Sequence, residues 1–270
     1  VIDQAIDSFK MKDNTMTTSL SPDQNQAAFD YVDFWFWRKE TLLEASNIEH
    51  PLFDALVEAK AIPGIIYSFH EKDGWWSALA AYKEETRPHP RQGGKDYYSP
   101  AALWWIRHTC LSLKEEMNVR EAATLNASKF KHQYKTLYKN LPSCYPHLAY
   151  ALPPIPDDEL DALAHSEWEA WVTGAYAVCL RDFSADICLR KEALAKTLKA
   201  HLAGPLGVSE ASQDKLLHMT QDLASLLLPF APWERPTATA GLILDPIIKT
   251  FGLGVDIPQP TKKPAVRFDM

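Results

Sequence analysis

Glu40-Thr-Leu-Leu-Glu-Ala-Ser-Asn-Ile-Glu-His50-Pro-Leu-Phe-Asp-Ala-Leu-Val-Glu-Ala-Lys60-Ala-Ile-Pro-Gly64 decides how the first half of the chain folds. Thr41 begins a short helix, Asn47-Ile48-Glu49 turns it, and His50 to Ala61 forms a second that Ile62-Pro63-Gly64 ends. An extended run, Ile65 to Phe69, follows, and Tyr97-Tyr98-Ser99-Pro100 opens a third helix toward Met117. That order is found in nucleic-acid readers, but the charges oppose such a use. Between Glu40 and Lys60 stand five acids (Glu40, Glu44, Glu49, Asp54 and Glu58) and one base, Lys60. A recognition helix carries Arg, Lys, Asn or Gln toward base edges. Here His50, Phe53, Asp54, Val57 and Glu58 would enter the groove, a face that repels the duplex, so no specific duplex DNA is expected as a partner.

Outward from that stretch the pattern is helical. Residues 1–20 read as a flexible arm. Ser21-Pro22-Asp23 is a helix start, with a capping residue, a proline in the first turn and an acid near the positive helix end. Residues 70–97 read as an aromatic insertion, with a helix expected from Gly74-Trp75-Trp76 through Glu85 and a loop over Arg87 to Gly94. Asn118 to Glu121 forms a capping box for a helix reaching about Asn140. A proline-rich connector, 141–156, then precedes three apolar stripes at three- and four-residue spacing. The first contains Leu160, Ala164, Trp168 and Trp171, which places both tryptophans in the interior. Residues 256–270 read as an extended tail. The expected fold is mostly α: a winged-helix-like N-terminal module (21–140) packed on a C-terminal helical bundle (157–255).

Composition bounds the function. The chain has 46% hydrophobic and 23% charged residues and a net charge of −7, which gives no attraction to phosphate backbones or anionic lipid. Cys110, Cys144, Cys179 and Cys188 form no C-x-x-C pair, and the last two fall in apolar helical pattern as buried thiols. With no apolar run near the length of a spanning helix and no signal-like start, the reading is a cytoplasmic protein with no membrane partner. Lys131, Lys135 and Lys139 line one helix face, which reads as solvated. His165 and Glu169 lie one turn apart but lack further ligands, so no metal and no cofactor are expected.

The insertion is richest in chemically useful side chains. Trp75, Trp76, Tyr97 and Tyr98 offer flat apolar area, and Arg87, His89 and Arg91 offer charge, a combination suited to a planar anionic or carbonyl-bearing ligand. His70 and Glu71 are the candidate catalytic pair, an imidazole beside an acid. Arg235, in Phe230-Ala-Pro-Trp-Glu-Arg-Pro236, is a further ligand-binding candidate whose simpler role is to cap carbonyls or pair with an acid.

Two resemblances add to this. Residues 40–117, with Glu40-Thr-Leu-Leu, Leu52 to Ile62 and Tyr97-Tyr-Ser-Pro, resemble the MerR-type winged-helix pattern. Residues from about 40 to 251 resemble the bacterial DUF6058 family, through Leu42 to Gly64, Tyr98-Ser-Pro, Glu167-Trp-Glu-Ala-Trp171, Gly174-Ala-Tyr176, Cys179-Leu, Lys191-Glu192 and Phe230 to Arg235. That resemblance implies a protein of natural-product biosynthesis, with histidine more usual at the place of Trp233. The combined expectation is a cytosolic bacterial protein that binds a small organic ligand in an aromatic pocket, with chemistry on that ligand left open. The alternatives are a degenerate MerR-like ligand-sensing regulator and a scaffold for another biosynthetic protein.

Overall fold

Local sequence rules open each element of the computed structural model, which describes residues 20–83, 90, 93–113, 117–204 and 210–256. The arm up to residue 19 and the tail beyond 256 lie outside the described residues. Helix α1 (Pro22–Trp35) starts at a reciprocal cap: Gln24 N donates to Ser21 Oγ (3.3 Å) and Ser21 N donates to Gln24 Oε1 (2.9 Å). Helices α2 (Lys39–Ser46) and α3 (His50–Glu58) are joined through Asn47, whose φ of 54° is the left-handed turn that asparagine tolerates.

A three-stranded antiparallel sheet follows, ordered β2-β1-β3 with β1 (Tyr67–His70) central, β2 (Gly74–Ser77) and β3 (Lys95–Tyr97) at the edges. The helix expected from Gly74 is therefore corrected at its start: Trp75 and Trp76 are in a strand, and the helix, α4, spans Ala78–Lys83, with the expected end at Glu85 outside the described residues. The reason is the hairpin. Gly74 has a φ of 73° and Asp73 N donates to His70 O (3.1 Å), which turns the chain back so that Trp76 faces Ser68 across the ladder. Trp37 and Tyr98 exchange both backbone hydrogen bonds (2.9 and 2.7 Å), tying the end of α1 to the sheet just before α5 (Ala102–Leu113).

The remainder is helical, and the protein as a whole is mostly α. The long α6 (Val119–Lys139) starts at an Asn118–Glu121 capping box and packs on both α8 (Asp157–Val172) and α10 (Ala185–Ala203). Between α6 and α8 the proline-rich segment holds a short α7 (Leu141–Cys144) and a 3-10 turn, with Leu141, Leu148 and Leu152 buried. Gly174, at φ 93°, separates α8 from the five-residue α9 (Ala175–Cys179), every residue of which is buried. Helix α11 (Glu210–Leu226) packs on α10, and α12 (Asp245–Phe251) ends at Gly252 (φ 62°).

One buried cluster runs from Tyr31 to Leu253. At its centre the Phe183 ring stacks on Trp171 (centroids 4.3 Å) and Phe130 (4.9 Å), with Trp105 and Trp168 beside it. Trp168 and Trp171 are thus interior, at 3% and 0% exposure. Lys139 pairs with Asp157 (2.6 Å) and Lys135 with Asp161, so two of the three stripe lysines meet the acidic start of α8.

Candidate functional site

Two polar nodes are buried on either side of α9. The first lies where the sheet meets the segment after α11. Glu234, 6% exposed, accepts from the Tyr67 hydroxyl (2.5 Å) and from the Ser77 hydroxyl, which also receives the Ala80 N–H (3.1 Å) at the start of α4. Burial, then the Glu234 carboxyl, pushes the Tyr67 phenol well above its ordinary range, so it stays a donor. The adjacent Trp233 ring packs on Tyr67 (5.9 Å) and Trp75 (5.6 Å). This segment opens with Phe230 at φ 65°, an uncommon conformation for an aromatic residue that the packing of its buried ring maintains. Arg235 grips Asp245 through Nε (3.0 Å) and Nη2 (2.6 Å) and caps the Pro229 carbonyl through Nη1 (2.6 Å). Gly241 is required there: a Cβ would stand 2.1 Å from the Arg235 carbonyl oxygen.

The second node is inside the helical half. Glu167 projects from the same face of α8 as Ala164 and Trp171 and is wholly buried. The Tyr176 hydroxyl, from α9, donates to its Oε2 (2.6 Å), while its Oε1 has no hydrogen-bond partner. Gly174 makes the turn between α8 and α9 at a left-handed φ and lies against Ile66 and the start of α4, where a Cβ would meet Ala78 Cβ at 2.7 Å and Ile66 Cδ1 at 3.0 Å. On α10, Lys191 Nζ pairs with Glu192 (2.5 Å) and stands 5.1 Å from the centre of the Tyr176 ring. Burial, then the Glu192 charge, pushes the Glu167 carboxyl up to about 8, toward its neutral form. For Glu192, burial acts upward, but the Lys191 ammonium together with Lys196 and the Tyr176 hydroxyl outweighs it, and its carboxyl is held below the ordinary range. The two carboxyl groups are thereby pushed in opposite directions, the arrangement that separates an acid from a base.

Cys179, at the end of α9, feels charges from both nodes (Lys191 and Glu192 on one side, Glu234 on the other), and burial pushes its thiol up to about 12, so it is no nucleophile at neutral pH. Both nodes fall largely within one stretch of sequence. Residues 126–252 match the model of DUF6058, a family of unknown function. Glu167, Tyr176, Lys191, Glu192, Glu234 and Arg235 all lie inside the DUF6058 match, and Tyr67 and Ser77 reach it from outside. No curated protein and no solved structure matches the chain.

Of the sequence-derived candidates, Arg235 lies inside the matched segment and the aromatic-insertion residues lie outside it. Tyr97 is buried and donates to Asp33 (2.8 Å), and Tyr98 is buried against Phe53 (5.3 Å). Trp75 and Trp76 are half-buried, with Trp75 packed among Phe29, Phe69 and Trp233. His70 faces Asp73 (3.3 Å), and Glu71 is exposed. Arg87, His89 and Arg91 lie outside the described residues. His165 is exposed and Glu169 pairs with Lys60 (2.7 Å); among the described residues no group of three or more His, Cys, Asp or Glu is placed to hold a metal. An open groove of about 420 Å³ beside the start of α10, lined by His132, Thr136, Ser184 and Asp186 among others, contains none of these side chains. A convergent, buried set of ionisable groups is the stronger marker of function, so the Glu167 node ranks above the groove. Its signal in the sequence was a glutamate set into the apolar stripe of α8.

Proposed function

We propose that the protein binds a small organic ligand of a bacterial biosynthetic pathway and exchanges a proton with it through Glu167. The observation that carries this is the Glu167 carboxyl, wholly buried and with Oε1 unpartnered. Lys191 and Glu192 reach the surface (side chains 12% and 22% exposed), and Tyr176 links them to Glu167. The ligand docks on the Lys191–Glu192 side of the node; the Tyr176 hydroxyl passes its proton to the ligand and takes the Glu167 proton in its place, which leaves Glu167 ionised. The biosynthetic setting rests on the sequence resemblance and the cytoplasmic location on the hydropathy pattern and unpaired cysteines; among the described residues no helix is long and apolar enough to cross a membrane.

The test is a thermal-shift screen of pathway metabolites on the native chain, Glu167→Gln, Tyr176→Phe, Arg87→Ala and Arg91→Ala. A stabilising compound whose effect is lost in the first two variants supports this site. Loss confined to the arginine variants moves the ligand to the aromatic insertion instead, and a compound indifferent to all four refutes both.

DNA recognition has little support: the exposed positions of α3 are His50, Pro51, Asp54 and Glu58, while Phe53 packs inward. A scaffold role has one specific observation in its favour. Trp104 (52% exposed) stacks on His108 (4.8 Å), with Leu111 (59% exposed) one turn further along α5. Trp104→Ser abolishing recovery of a pathway protein would favour that reading.

A further inference from the structure

Unpartnered hydrogen-bond donors gather where α1 passes the turn that follows α9. Tyr31 and Trp35 stand one helical turn apart on α1, 5% and 6% exposed. Arg181, two residues beyond Cys179, lays its guanidinium over Trp35, 4.8 Å from the ring centre. Its backbone is fixed there, since Arg181 N donates to Leu226 O (3.1 Å). The Arg181 Nε and Nη2, the Trp35 Nε1 and the Tyr31 hydroxyl are all buried and make no hydrogen bond. The Phe230 backbone lies beside the Tyr31 hydroxyl without completing a bond of normal geometry, and the Arg181 charge reaches that same hydroxyl.

Such a cluster is unusual, because the large majority of buried side-chain polar atoms have a hydrogen-bond partner. What it lacks is an acceptor. Arginine, tryptophan and tyrosine present N–H and O–H groups, and the Nε–Nη2 edge of a guanidinium is a fork that fits two oxygens of a carboxylate or phosphate. The acids nearby do not fill it. Glu234 already receives Tyr67 and Ser77, and Asp182, the neighbour in sequence, leaves both Arg181 nitrogens unbonded. Burial draws the Arg181 pKa down from its ordinary value and outweighs the upward pull of Tyr31 and Asp182, so Asp182 acts on the guanidinium by charge alone and leaves its buried donors free.

We propose that Arg181, Trp35 and Tyr31 form an oxyanion site, which takes the carboxylate or phosphate group of an organic ligand or the free ion. The two Arg181 nitrogens grip two oxygens, the Trp35 N–H and Tyr31 O–H serve as neutral donors, and the indole face supports the guanidinium from below. The site stands on residues separate from Glu167 and does not depend on proton transfer there.

Inorganic phosphate and acetate, titrated separately at constant ionic strength, are the probes, with the thermal midpoint as readout. The native chain, Arg181→Met, Trp35→Phe and Tyr31→Phe are compared. A saturable rise in midpoint with at least one anion, weakened about tenfold or more in Arg181→Met and to a smaller degree in the other two, supports the site. Response to phosphate alone assigns a phosphoryl group or free phosphate, and response to acetate a carboxylate. If Arg181→Met does not fold, the Trp35→Phe and Tyr31→Phe titrations decide. Equal responses in the native chain and the variants, or no saturable response in the native chain, overturn the proposal and leave ordered water as the acceptor.

Discussion

Glu167→Gln gives the sharpest test of the buried node because its effect has a sign as well as a size. Folding raises the carboxyl from 4.5 to about 8, so the folded protein holds a proton that the unfolded chain releases. The resulting stabilisation is complete below the unfolded value and is lost as the pH rises through about 8. At about 1.4 kcal/mol per pH unit, the rise from 4.5 to about 8 is worth about 5 kcal/mol. Glutamine keeps an oxygen for the Tyr176 hydroxyl and a neutral group at the unpartnered position, but it does not titrate. Chemical denaturation of both proteins between about pH 5.5 and 8.5, a range that brackets most of this loss, isolates the effect by difference. The native chain is expected to lose stability relative to the variant by about 1.4 kcal/mol per pH unit over the middle of that range. Denaturation curves that stay parallel at every pH would refute the reasoning, because they would mean that Glu167 is ionised in the fold or paired with a group that neutralises it.

The other expectations are structural and independent of one another. Trp171→Ala, at a wholly buried ring stacked on Phe183, is expected to cost about 3–5 kcal/mol in unfolding free energy. Gly174→Ala forces a Cβ to within 2.7 Å of Ala78 at a left-handed backbone, and it should lower the thermal midpoint more than Gly204→Ala, where the nearest atom is 4.0 Å away. Tyr176→Phe removes the hydroxyl that favours the charged form of Glu167, so the carboxyl should titrate at still higher pH by carbon-13 NMR of labelled glutamate. A low-salt gel shift with the upstream duplex should show no sequence-selective retardation.

Much of the fold was legible because short-range chemistry dictates it. The Ser21 and Asn118 capping boxes, the Asn47 turn and the Gly252 stop all stand where local residue preferences place them. The helix expected at Gly74 failed because a glycine at positive φ and two tryptophans suit a hairpin strand paired with β1, and that pairing is a long-range contact invisible to local pattern. The site was harder to read. Tyr67 and Glu234 are 167 positions apart, and nothing in the spacing of either announces the other. Glu167 did leave a trace, a carboxyl on an apolar stripe, but its raised pKa comes from burial by elements that meet only in the folded chain and then from Glu192. Arg235 behaves as its flanking prolines suggested, as a clamp on Asp245 and the Pro229 carbonyl.

Infrared spectroscopy reads the protonation of Glu167 directly. A neutral carboxyl in a buried site absorbs apart from ionised carboxylates, and isotope-labelled glutamate assigns the band to this residue type. The native protein at pH 7 should display a neutral-carboxyl band that fades as the pH rises through about 8 and is missing from Glu167→Gln. A spectrum at pH 7 with no such band, or with one that persists in Glu167→Gln, would contradict the central claim that Glu167 stores a proton at physiological pH.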